Sequence, residues 1–334
     1  MKKIITIMVE AVSAQKEHIP SLQRAFQRAR ETRSLFYTDY LAQPAIADFH
    51  LDRVLKQIEH SEEPPFTLFF QDRELLAIAS TAESPWHSEH FAVPYYKFHP
   101  FYTFPVSQES SAELVQTLKQ HLLNLSPAVY TLRVEGFDTP LAYSLSQQGF
   151  VYVGTSQRLI LHPNGSYPID RNHSNQYDSL LIRDVREEDL PIMQDISRTN
   201  HSHNHFLYES RFQKDAIQNL FSEWVKKCVE GIAKKVFVAE YEKQVVGFST
   251  LLLSEVLVPY INQRVGIIDF IIVDQQVQGQ GISSRLLRES LDWLFRHADL
   301  VELRTMAENL RAIRFYEKNG FRMLSTDHHF HYWT

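Results

Sequence analysis

The sequence predicts an α/β protein in which a mixed central sheet flanked by helices is built twice. Three observations carry that reading: the length, an internal repeat, and the regular alternation of strand-like with helix-like segments. The 334 residues exceed the roughly 100–200 of an average domain, so about two domains with separate cores are expected. The repeat sets Thr131-Leu132-Arg133-Val134, then Asp138, then Leu141 to Phe150, against Glu302-Leu303-Arg304-Thr305, then Asn309, then Ala312 to Phe321, at a constant offset of 171 without a gap. In each copy a strand leads through a polar turn into a helix of about ten residues, closed by glycine, and an aromatic then opens the next strand. The same offset pairs Ser107–Lys119 with Gln278–Ser290, which adds a long amphipathic helix to each half. Both halves therefore read strand, long helix, strand, helix, strand.

Leu161 to Asn175 (LHPNGSYPIDRNHSN) concentrates Pro, Gly, Asn and Ser and loses periodicity, the composition of a linker. The domains are accordingly expected at 1–165 and 176–334. With 34 basic and 40 acidic residues, net −6, the chain lacks the basic surface that phosphate-backbone binding demands, so no nucleic-acid partner is expected. A 44% apolar and 22% charged composition is that of a packed globular protein. The single cysteine, Cys228, excludes an intrachain disulfide framework and fits a reducing compartment. No stretch reaches the roughly 20 apolar residues of a membrane span. The apolar run Ile4–Val9 behind Met1-Lys2-Lys3 is cut at Glu10, short of a signal peptide, so the cytoplasm is expected.

The second half carries the chemistry. Strand-like Val265–Val273 runs through Gln278-Gly279-Gln280-Gly281 into a helical pattern that opens at Ile282-Ser283-Ser284. A strand, a glycine turn and a helix form an anion site in outline: unpaired amides at the helix start point outward, and the dipole favours negative charge there. A plain tight turn is the competing reading, and both the third dinucleotide-loop glycine and the Walker ending are missing. Downstream comes Glu308-Asn309-Leu310-Arg311-Ala312-Ile313-Arg314-Phe315-Tyr316-Glu317-Lys318-Asn319-Gly320-Phe321.

Together these segments resemble the GNAT N-acetyltransferase superfamily, with Gln278, Gly281, Asn309, Ala312, Tyr316, Gly320 and Phe321 matching its pattern. Ser283 stands in place of Gly or Ala, and Gln275 in place of a frequent proline. The resemblance implies a tandem GNAT fold with acetyl-CoA as co-substrate and no metal. It places the diphosphate on the amides of Gln278, Gly279, Gln280, Gly281, Ile282, Ser283 and Ser284. It places the pantetheine arm along Ile271, Ile272 and Val273, with Asn309, Phe315 and Lys318 on the cofactor side. Tyr316 becomes the acid that protonates the leaving thiolate; read from position alone it is equally a buried helix tyrosine with a satisfied hydroxyl. At the positions equivalent to Gly279, Gly281 and Tyr316 the first half has Gln108, Ser110 and Leu145, so it reads as a degenerate copy.

Trp86-His87-Ser88-Glu89-His90-Phe91, Ser210-Arg211-Phe212 with Asp215 and Phe221–Val225, and His329-Phe330-His331-Tyr332-Trp333 are similar to the dTDP-fucosamine acetyltransferase family. That resemblance implies acetylation of the 4-amino group of a dTDP-4-amino-4,6-dideoxyhexose, by direct attack in a ternary complex. Arg211 is the candidate phosphate contact, against an exposed helix arginine. Asp269 is the candidate base, expected to share a strand face with Ile271 and Val273; His203 and His329 are rival bases and candidate substrate contacts. The cluster His201 to His205 lacks thiolate or carboxylate companions, so no metal is expected. Other small amines (an aminoglycoside, a polyamine) and a non-catalytic acyl-CoA sensor are the alternative functions, and the chain is expected as a monomer or homodimer.

Overall fold

The computed structural model describes residues 8–32, 43–80, 82–98, 101–104, 107–163, 179–200 and 203–334. Most of the expected linker lies outside the described residues. In chain order the elements are β1 (Val9–Ser13), α1 (Ile19–Thr32), α2 (Gln43–His60), β2 (Phe66–Gln71), β3 (Glu74–Ser80), β4 (Ala82–Glu83), α3 (Pro85–Phe91), β5 (Tyr95–Phe98), β6 (Phe101–Thr103), α4 (Gln108–Leu123), β7 (Val129–Glu135), α5 (Thr139–Gln147) and β8 (Val151–Leu161). There follow β9 (Leu180–Asp184), α6 (Leu190–Asn200), α7 (Lys214–Lys227), β10 (Lys235–Tyr241), β11 (Gln244–Ser254), α8 (Val258–Ile261), β12 (Val265–Val273), α9 (Ile282–Leu294), β13 (Leu300–Met306), α10 (Leu310–Lys318) and β14 (Arg322–Trp333).

Two compact units result. One comprises Met1–Thr155 with Ser325–Thr334, the other Ser156–Leu324. The expected spans were 1–165 and 176–334; the first of these units also takes in Ser325–Thr334, and the second is contiguous. In the first unit β7 pairs on one edge with β5, parallel, and on the other with Asp327–Trp333 of β14, antiparallel. In the second, Ser156–Leu161 of β8 pairs antiparallel with Val301–Met306 of β13. Each pairing satisfies a row of strand amides and carbonyls.

In the first unit β1, β2, β3 and β6 form one antiparallel ladder. Its strands β2 and β3 are almost continuously buried, so they read as apolar runs rather than alternating ones. Strand β7 does alternate: Tyr130, Leu132 and Val134 enter a core with Leu114, Val115, Leu118 and Leu122 of α4, while Thr131, Arg133 and Glu135 take the other face. In the second unit β12 runs parallel to β13 and antiparallel to β11, which continues through β10 to β9. The core on one side is built by Leu286, Leu287, Leu291 and Leu294 of α9. On the other side Met193 and Ile196 of α6 and Val225 of α7 meet Phe248 and Ile272.

The repeat is visible in three dimensions. Helices α5 and α10 are capped alike: Asp138 accepts from the amide of Leu141 and Asn309 from that of Ala312, with nearly the same backbone angles, and Gly149 and Gly320 follow at φ 89° and 87°. The long helices depart from the 171 offset. Their buried faces match as Ser110, Leu114, Val115, Leu118 and Leu122 against Ile282, Leu286, Leu287, Ser290 and Leu294, one residue further on. Burial decides the register here, because a one-residue slip turns a helix by 100° and would expose its apolar stripe. In either register the first copy lacks the two glycines.

Candidate active site in the second unit

The glycine turn is held from below. Asp274 follows β12 and accepts from the amide of Gln276 at 2.9 Å, opening a short 3-10 turn that delivers the chain to Gln278. Gly279 and Gly281 then adopt φ 86° and 79°, a left-handed geometry that side-chain-bearing residues rarely take. A Cβ at either position would meet nothing within 4 Å, so these glycines serve backbone conformation rather than close packing. Among the described residues the amides of Gly279, Gln280, Gly281, Ile282 and Ser283 donate to no protein acceptor. The amide of Ser284 does: it donates to the Gly281 carbonyl at 3.0 Å. The free run is therefore one residue shorter at this end than the sequence reading drew it. Five adjacent amides at the start of a thirteen-residue helix suit a diphosphate.

Gln278 contributes its side chain as well. Its Nε2 donates to the Val273 carbonyl at 3.0 Å, and its Oε1 accepts from Arg311 Nη1 at 2.6 Å. Arg311, which sequence reasoning did not single out, thus ties the turn to the first residues of α10 and brings a guanidinium to its edge.

Strand β12 supplies the second feature. Only Val265–Ile268 pair with β13, whereas β11 stays paired as far as Val273. From Asp269 to Val273 the edge towards β13 is open among the described residues, so the stretch Ile271 to Val273, apart from the Val273 carbonyl that Gln278 takes, can present strand amides and carbonyls to a ligand able to add as a further strand. An amide-bearing arm next to a diphosphate is the chemistry that fits both features.

Asp269 departs from the sequence expectation. Across β11 the register passes from Thr250–Phe270 to Leu251–Ile268, leaving Asp269 as the extra residue of a bulge. The alternation breaks there. Ile271 and Val273 pack with the α9 core, while Asp269 turns to the α7 side and does not share their face. Three donors reach its Oδ2: Trp224 Nε1 at 2.8 Å, Thr250 Oγ1 at 3.2 Å and Cys228 Sγ at 3.7 Å. Oδ1 takes none of them. Burial raises the carboxyl pKa against the opposing pull of these donors, which moves the group towards the neutral range where a base works. Cys228 is itself pushed up to about 12 by burial and by the Asp269 charge, so it is a thiol donor and not a thiolate nucleophile. Trp224, Thr250 and Cys228 were missed as partners because only the bulge and the α7 packing bring them to one oxygen.

Tyr316 sits on α10 among Phe315 and Phe321, at ring separations of 5.2 and 5.5 Å. Burial alone raises its pKa. Among the described residues no acceptor or donor meets its hydroxyl, so the satisfied-hydroxyl alternative does not apply and a protonated phenol is left for a ligand. Phe315 is half-buried and Lys318 exposed on the same helix. Asn309 spends Oδ1 on the helix cap at 3.1 Å, as Asp138 does in the other copy.

The substrate candidates fall in different places. His203 is exposed in the segment between α6 and α7, and Arg211 is exposed in a turn before α7, outside any helix. That segment reaches the α10 turn through Tyr208, whose hydroxyl donates to Glu308 at 3.3 Å. His201 lies outside the described residues. His329 belongs to the first unit and is 4% exposed, opposite Arg133 on β7. Among the described residues no group of three or more His, Cys, Asp or Glu could hold a metal ion, and no helix is long and apolar enough to cross a membrane.

Comparison with known proteins agrees with this geometry. Residues 194–321 match the Acetyltransferase (GNAT) family. A GCN5-related N-acetyltransferase from Sphaerobacter thermophilus has the same fold at TM-score 0.60 and 15% identity, covering 97% of this chain and 95% of that one. A tandem GNAT protein from the clavulanic acid biosynthesis pathway does so at TM-score 0.53 and 10% identity, over 97% and 98%. The spore coat polysaccharide biosynthesis protein SpsD of Bacillus subtilis is 24% identical over 141 residues, 42% of this chain and 46% of that protein, so the match spans less than half of the curated relative. The family match lies on the unit that holds the glycine turn, the open strand edge and Tyr316: residues 194–321 belong to the Acetyltransferase (GNAT) family, and the chain as a whole has the fold of the tandem GNAT protein.

Proposed function

We propose that the protein is an N-acetyltransferase that moves an acetyl group from acetyl-CoA to a primary amine, the 4-amino group of a nucleotide-linked amino-deoxysugar, by direct attack in a ternary complex. The observation that carries the reading is the continuity of five unpartnered amides with the open edge of β12, followed by a half-buried phenol on α10 without a protein partner among the described residues. The match to a polysaccharide biosynthesis protein supports a sugar as acceptor.

Bound acetyl-CoA would supply an acyl thioester and a thiolate leaving group. The amides of Gly279 to Ser283 would hold its diphosphate, and the groups on the open edge of Ile271 to Val273, other than the Val273 carbonyl held by Gln278, would align its arm. Asp269 Oδ1, left open by the three bonds at Oδ2, would take a proton from the acceptor ammonium and leave a nucleophilic amine. Tyr316, kept protonated by burial, would hand its proton to the departing sulfur. The buried Cys228 thiol leaves no covalent acyl-enzyme in this scheme.

The test is incubation of the full chain with acetyl-CoA and a panel of amines: a dTDP-4-amino-4,6-dideoxyhexose, aminoglycosides and polyamines. Thiol release with one acetyl gained by the sugar nucleotide is the expected result. Release with another amine overturns the acceptor, and acetyl-CoA binding without turnover on any amine overturns the enzyme reading in favour of a sensor.

A further inference from the structure

The first unit carries a polar sheet face that this chemistry leaves unused. Beside Thr131 on β7 lies Lys97 of β5, and opposite it His331 of β14; the next row holds Arg133 opposite His329, and the row after that Glu135 opposite Asp327. Lys97 and Arg133 are thus diagonal neighbours on one face, both half-buried. Helix α3 borders them: His87 stacks on Tyr95 with centroids 4.7 Å apart and is fixed through Nδ1 by Ser84 Oγ at 2.8 Å. Among the described residues Lys97 has no carboxylate and no hydrogen-bond acceptor. Glu135 and Asp327 stand two rows from it.

The electrostatics agree with the geometry. Burial and then Arg133 lower the Lys97 ammonium to about 8. Burial, followed by Lys97, His90 and Arg133, lowers His87 to about 3, so this imidazole stays neutral. An unpaired, partly desolvated ammonium beside a guanidinium is costly, and an anion relieves it. The whole chain is net −6, so the feature is local rather than part of a basic surface.

We propose that this face is an anion site for a nucleoside diphosphate, with Lys97 and Arg133 as its phosphate-binding cations. The proposal rests on the acceptor reading above, since a nucleotide-linked sugar carries that group. Two adjacent cations match two phosphates, a guanidinium fork suits phosphate oxygens, and the half-buried His87 ring, backed by the buried Tyr95, offers an aromatic face to a base. Half-burial of both cations favours a small ligand over a polymer lying on an exposed stripe.

Calorimetry on the full chain tests it, with dTDP, inorganic pyrophosphate and acetyl-CoA titrated separately into the wild type, Lys97→Met and Arg133→Lys. Lys97→Met should weaken dTDP and pyrophosphate at least about tenfold, the loss of one charge-assisted contact, and leave acetyl-CoA unchanged. Its melting temperature should equal or exceed that of the wild type, because an unpaired ammonium is removed. Unaltered dTDP affinity in a folded Lys97→Met variant, or wild type that binds no dTDP, overturns the site. If dTDP binding depends on Lys97 while sugar nucleotides are not acetylated, the site stands and the acceptor reading falls. Acetylation of the sugar nucleotide with dTDP binding indifferent to Lys97 gives the reverse.

Discussion

Trp224 on α7 donates its indole N–H to Oδ2 of Asp269, the bulged residue of β12, at 2.8 Å. The bond stabilises the charged carboxylate, opposing the burial that raises its pKa. Trp224→Phe removes the donor and keeps most of the packing. Asp269 should then titrate about one unit higher, the value of one hydrogen bond to a charged group. The acidic limb of the kcat/KM profile should move up by that amount, with the KM for acetyl-CoA unchanged. A profile that does not move would separate Asp269 from the proton transfer.

Asp269→Asn makes a second, opposite-signed statement. A carboxyl whose folded pKa lies above its unfolded value, about 3.9, contributes stability that is fully present below the unfolded pKa and is lost as pH rises through the folded one. Removing the ionisable group while keeping an oxygen for Trp224 should therefore raise the melting temperature at pH 8, and the gain should shrink towards pH 3–4. The same variant should lose about 10²–10⁴ in kcat if Asp269 is the base. Thermal melts across pH, set beside the rate, show both.

For Tyr316 the hydroxyl has no protein partner among the described residues, so Tyr316→Phe should be nearly neutral for stability. Its expected cost is about 10²–10⁴ in kcat, with acetyl-CoA affinity preserved. Equal loss of affinity and rate would mark a binding role instead.

What was legible in the sequence follows from the range of the physics involved. The strand and helix periods, the polar turns at Asp138 and Asn309 and the closing glycines are local, and all recur in the structure. The glycine turn was readable for the same reason. The bulge at Asp269 was not, because one extra residue in β12 against β11 leaves no mark in the composition of either strand, yet it changes which side the carboxylate faces. The partner of β7 was equally hidden: Val129 meets Trp333, a pairing set by tertiary edge matching. Lys97 was overlooked because its isolation from carboxylates depends on three strands and a helix meeting.

Gly281 stands at φ 79° as the residue before α9. Gly281→Ala would introduce no clash, since nothing lies within 4 Å of the added Cβ. The left-handed conformation itself should cost roughly 1–2 kcal/mol. Any relaxation of that strain turns the amides of Gly281 and Ile282 away from their common direction. The KM for acetyl-CoA should rise about tenfold, in line with that energy, while kcat at saturation changes little. A variant with lowered stability and unchanged KM would show the turn to be structural only.

The paired caps allow a control inside one molecule. Asp138 and Asn309 hold the same cap position with nearly the same backbone angles, each accepting from the amide three residues on. Asp138→Ala and Asn309→Ala should each destabilise the chain by about 1 kcal/mol, the usual worth of an N-cap side chain. Only the second copy has the glycine turn and Tyr316 beside its cap, so only Asn309→Ala should also raise the KM for acetyl-CoA. Because the Oδ1 of Asn309 is committed to Ala312 at 3.1 Å, the part of its carboxamide left for a ligand is the Nδ2 donor. Asn309→Asp keeps the cap and removes that donor, so it should restore stability without restoring KM. Denaturant titrations and KM measurements on the three variants separate the two roles, and a KM that recovers with Asp would assign Asn309 to the scaffold alone.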